Sequence, residues 1–95
     1  MSSRVDACRE VLRSINKEDN FTQREADQQT PRYVSVQSRL AQAYMALAKA
    51  LREDYPNDNS KRTEARSCYR AAADVWSLIG ASDKEAEAKR LAQQP

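Results

Sequence analysis

Residues 60–80, Ser-Lys-Arg-Thr-Glu-Ala-Arg-Ser-Cys-Tyr-Arg-Ala-Ala-Ala-Asp-Val-Trp-Ser-Leu-Ile-Gly, read as one amphipathic helix with a marked end. Ala65, Cys68, Tyr69, Ala72, Trp76 and Ile79 recur at helical spacing, which puts their side chains on one face. Small and large residues alternate along that stripe, so a second helix can approach closely. Gly80 stands where a helix needs a left-handed residue to stop.

Tyr55-Pro-Asn-Asp-Asn-Ser60 is a turn, and Asn59 or Ser60 opens the helix that ends at 79. Before the turn, Thr30 can cap a helix whose first turn holds Pro31, where a missing N–H costs nothing. That helix is expected over 31–55, with Pro56 ending it. Tyr33, Tyr44 and Tyr55 stand eleven apart, so they drift by only about 20° per step around it. With Val36, Leu40, Leu47, Ala48 and Leu51 between them, they make a face wide enough for two neighbours. After Gly80, Ser82-Asp-Lys-Glu85 has the form of a capping box and opens a weakly apolar helix over 82–93. At the other end, Val5, Cys8, Leu12 and Ile15 predict a helix over 3–15. Asn16-Lys-Glu-Asp-Asn20 reads as a polar break, and 16–30 as a connecting segment. Phe21 followed by Thr22-Gln-Arg-Glu25 also has the form of a staple residue and a capping box.

Short turns between long helices place neighbours antiparallel. The expected fold is all-α: an antiparallel three- to four-helix up-and-down bundle built on a long helical hairpin, one domain over 1–95. Helix 3–15 would cover one side of the hairpin, and helix 82–93 would cap its end.

Composition agrees. The chain has 95 residues, 40% hydrophobic and 32% charged, enough for one core and too apolar for full disorder. One Gly and three Pro argue against a turn-rich sheet protein. A net charge of +2, spread evenly, is less concentrated than a nucleic-acid-binding domain usually shows. No run of 18 apolar residues could span a membrane, and the N-terminus lacks the apolar core of a signal peptide. Cys8 and Cys68 read as reduced, buried small hydrophobes, with a disulfide between their helices as the sharper alternative. A cytoplasmic or otherwise intracellular setting is expected.

Chemistry is sparse. The chain has no His, the commonest general base and metal ligand. Glu53 and Asp54 are adjacent, but neighbours on a helix point about 100° apart. A single Gly rules out a phosphate-cradling loop. No enzyme activity, catalytic residue, metal or cofactor is expected. Two features remain as candidate partner-binding sites. Arg62, Arg66 and Arg70 stand four apart, a ladder of forks suited to carboxylates on an acidic partner, with Asp74 next in line to pair with Arg70. If helix 3–15 leaves part of the hairpin groove open, Tyr33, Leu40 and Leu47 line it for an amphipathic helix. Tyr44 and Trp76 are expected in the core, with Tyr33 and Tyr55 half exposed.

Glu64-Ala65-x3-Tyr69-x2-Ala72 resembles the second helix of a tetratricopeptide repeat. Leu40-Ala41-x2-Tyr44 resembles its first helix, with Ala where the pattern has Gly. Trp76-x2-Ile79-Gly80, followed by Asp83 to Ala88, is similar to the joint between stacked repeats. The chain departs from the pattern, since Tyr44 and Ala65 are about twelve residues too far apart and no second copy exists. These departures look more like the microtubule-interacting and trafficking (MIT) type of helical bundle, which shares the Glu-Ala-x3-Tyr signal. Both families imply recognition of a peptide or helix in a groove, without catalysis. The resulting expectation is an adaptor or docking module for another protein. A self-associating structural subunit, or weak nucleic-acid or acidic-surface binding through the basic face, are the competing readings.

Overall fold

The computed structural model describes residues 3–25 and 31–94. Four helices follow one another: α1 (Arg4–Glu25), α2 (Pro31–Asp54), α3 (Asn59–Leu78) and α4 (Ser82–Ala92). There is no strand among the described residues. Each helix packs on the next, and each pair is antiparallel. Arg4, at the start of α1, bonds Glu53 and Asp54 at the end of α2, while Glu18 near the end of α1 meets Arg39 in the first half of α2. The molecule measures 43 × 32 × 14 Å. With helix axes about 8–10 Å apart, its thin dimension holds two layers of helices.

The α2–α3 hairpin forms where the turn residues require it. Pro31 opens α2, and α2 closes ahead of Pro56. Asp58, in extended conformation, caps α3 by accepting the Lys61 N–H at 3.1 Å, so the helix starts at Asn59. At the other end Gly80 holds φ at +72°. The Gly80 N–H then donates to the Ser77 carbonyl at 3.1 Å and the Ala81 N–H to the Trp76 carbonyl at 2.9 Å, the paired bonds of a Schellman cap.

That cap corrects the expected capping box. Ala81 completes the end of α3 and is also the N-cap of α4, so Ser82 already lies inside the helix and no side chain caps it. Nor does α4 merely cap the hairpin's end. It lies along α3, burying Ala88 and Ala92. Its C-terminus is held by Arg52 of α2, which donates to the Leu91 carbonyl at 2.8 Å and the Gln94 carbonyl at 3.0 Å. The same guanidinium sits over the Tyr69 ring, 4.9 Å from its centroid. A cation meeting the unsatisfied carbonyls of a helix end is favourable for both.

The larger correction concerns residues 16–25. They continue α1 as helix where a polar break over 16–20 and then a connecting segment were expected. The reason is tertiary. Asp19 is buried and accepts a hydrogen bond from Nε2 of the fully buried Gln37 of α2. Glu18 accepts from Arg39 at 2.6 Å. Asp19 thus faces the core, and Glu18 ties α1 to α2 at the surface. The side chains from Phe21 to Glu25 and the expected Thr30 cap lie outside the described residues.

The core is continuous. One cluster joins Ile15 of α1, Val36 and Leu40 of α2, Trp76 of α3 and Ala88 of α4. The other joins Val5, Leu47, Leu51, Ala65, Tyr69 and Ala92. Leu12, Tyr44 and Met45 touch both. The wide face of α2 packs on α1 and α3 together, as its sequence predicts. Trp76 is buried with its indole Nε1 unpaired among the described residues, and Lys84 lies 4.7 Å from its ring centroid.

Candidate functional site

The groove expected between α2 and α3 is filled. Tyr33, Leu40 and Leu47 are only 3%, 5% and 3% exposed, because the long α1 lies over α2 and supplies Leu12 and Ile15 to the core. Arg9 of α1 then reaches α3, forming a two-pronged ion pair with Glu64, one arm at 2.9 Å. Tyr33 is thus core where half exposure was expected, and Tyr44 is only half-buried. Tyr55 is partly exposed as anticipated, with the Lys61 ammonium 5.4 Å from its ring centroid.

Leu78 is exposed at the end of α3, and a longer open apolar surface lies on the outer seam between α1 and α2. Val11 is 54% exposed there. Three hollows border it, and two of them lie along the alanine floor of the seam. One, of about 180 Å³, is lined by Arg4, Ala7, Cys8, Val11, Ala43 and Ala46. The other, of about 280 Å³, is lined by Val11, Ile15, Arg39, Gln42, Ala43 and Ala46. The floor is made of alanines from both helices, which leaves room above it for side chains from outside. Each end is closed by an ion pair. Arg4 bonds Glu53 and Asp54, each at 3.0 Å, and Arg39 bonds Glu18. Hydrogen bonds from Arg39 hold the Glu18 carboxyl below its ordinary range. An apolar trough with charged ends suits a short amphipathic helix.

Val11 falls outside the 5-8-12-15 repeat that marks the core face of α1. That exception was the available signal, since a large apolar residue off the stripe points to a second surface. Ala43 and Ala46 give no signal of their own, because alanine is unremarkable on either face of a helix.

The arginine ladder is where the sequence puts it, on α3. Arg62 and Arg66 are half-buried and Arg70 is exposed. Among the described residues none of the three has a carboxylate within ion-pair distance, and Asp74 does not pair with Arg70. Arg66 donates to the Thr63 hydroxyl at 3.3 Å. The ladder and the seam are separate surfaces.

No protein-family model, curated protein or solved structure matches the chain. The site therefore rests on its own geometry.

Other chemistry is limited. Both cysteines are free thiols. Burial pushes the Cys68 thiol up to about 11, while Cys8 is half-buried and borders the smaller hollow. Among the described residues no three His, Cys, Asp or Glu gather to hold a metal, and no helix is long and apolar enough to cross a membrane.

Proposed function

We propose that the chain is a protein-interaction module that takes an amphipathic helix of another protein in the α1–α2 seam. The observation that carries this reading is Val11, more than half exposed between two hollows floored by Ala43 and Ala46. A solvent-facing valine contributes nothing to the core, and covering it gains about 1.5 kcal/mol. Size selects the occupant. From Arg4 to Ile15 the seam runs about 16 Å, three turns of helix. A strip three helical turns long is small against the ~800 Å² per partner of stable complexes between folded proteins. One short helix fits that footprint better than a second folded copy. The resemblance to tetratricopeptide and MIT-type bundles supports the same general reading, recognition of a helix or peptide without catalysis.

The test is selection from a displayed library of amphipathic helical peptides about four turns long, with the selected peptides titrated against Val11→Glu. A carboxylate at the centre of the seam would be desolvated by any apolar ligand. Binding should weaken at least tenfold, about 1.4 kcal/mol, while helicity stays unchanged. A library that yields no binder, or binders indifferent to Val11→Glu, would overturn the reading. A dimer in sedimentation that Val11→Glu abolishes would replace the helix with a second copy of the chain.

A further inference from the structure

The seam leaves the α3 ladder unexplained. Five of the eleven arginines have carboxylate or carbonyl partners among the described residues. Arg4, Arg9, Arg13 and Arg39 each hold a carboxylate, and Arg52 holds the end of α4. Arg62, Arg66 and Arg70 are three guanidinium groups on one helix with no carboxylate partner among the described residues. Clustering like charges is unfavourable, and an unpaired row is a surface prepared for an opposite charge.

We infer that this ladder binds an extended acidic segment of a protein, one that carries carboxylates at alternate residues. The spacing supports it. Rungs four residues apart on a helix rise about 6.0 Å each. Side chains on the same side of an extended strand repeat every two residues, about 6.6 Å. Three successive forks therefore meet three alternate carboxylates nearly in register, each fork able to bond both oxygens. The next rung is Asp74. Asp74 turns the pattern from basic to acidic. The segment thus has three alternate acids, and the following alternate position does not tolerate a fourth.

Nucleic acid fits less well. Single strands bind where aromatic rings lie open for bases to stack on. Tyr69 and Trp76 of α3 are buried, and Lys61 already sits over the exposed Tyr55 ring.

The experiment uses the full chain and three probes: a labelled peptide with glutamates at three alternate positions, an isomer with the three adjacent, and a single-stranded oligonucleotide of equal charge. Binding is read by fluorescence anisotropy at low and physiological salt. The alternating peptide should bind at least threefold tighter than its isomer. It should lose tenfold or more when Arg62, Arg66 and Arg70 are all changed to Gln, and nothing when Arg90→Gln is the change. In a charge swap, Arg66→Glu should recover binding to a peptide whose middle acid is lysine, which damage to the fold could not produce. Equal binding of the two isomers, no loss in the triple variant, no recovery in the swap, or tighter binding of the oligonucleotide would each overturn the proposal. Val11→Glu leaves this surface untouched, so the ladder and the seam stand or fall separately.

Discussion

Gly80 shows how one residue ends one helix and begins the next. Its φ of +72° belongs to the left-handed region, and a Cβ added there would meet no atom within 4 Å. The cost of Gly80→Ala is therefore conformational alone, about 1 kcal/mol. Urea denaturation should show that loss with the slope unchanged, and an unaltered midpoint would mean the turn relaxes. Gln37 is the second critical residue. It is fully buried and donates to the buried Asp19 carboxylate. Gln37→Leu removes a charge-assisted bond to a buried carboxylate, which should cost about 2 kcal/mol. The exposed Gln42→Leu should stay within about 0.5 kcal/mol of the native chain. If the two substitutions cost the same, the buried pair is not holding α1.

At the scale of elements, the hairpin was legible because its limits are set by the backbone chemistry of Pro31, Pro56 and Gly80. No tertiary contact is needed to read those signals. The second half of α1 was not legible, because Gln37 and Arg39 stabilise it from α2, about twenty residues away. A run of Asn, Lys, Glu and Asp looks like a loop until its partners are known. The capping box at Ser82 misled for the opposite reason. Its local pattern is sound, but the Schellman turn of α3 uses Ala81 and leaves Ser82 no cap position. The same distance effect hid the site. The ladder could be read from spacing alone, whereas the filled groove and the open seam depend on how far α1 extends. Amide hydrogen exchange tests this directly. Residues 16–19 should be protected like the first half of α1, and exchange at free-chain rates would restore the connecting segment.

Across the whole molecule, α1 is fastened by carboxylates. Glu64 is lowered from its ordinary 4.5 by hydrogen bonds from Arg9, and Glu18 by those from Arg39. A carboxylate with a depressed folded pKa contributes stability in full above its unfolded value. That contribution is lost as pH falls through the folded one. Stability should therefore drop as pH falls below about 4.5, and Glu64→Gln should flatten that drop while lowering stability at neutral pH. An unchanged acid profile in Glu64→Gln would show that the Arg9 pair does not anchor α1. Both fastenings also shape the proposed docking surface, because the α1–α2 seam exists only while α1 stays in place.

The most direct measurement is a map of backbone amide shifts as a selected helical peptide is titrated into the isotope-labelled chain. The largest changes should fall on Ala7, Cys8, Val11, Ala43 and Ala46, with α4 unmoved. Saturable binding whose shifts cluster on α3 and α4, and not along the α1–α2 seam, would contradict the account.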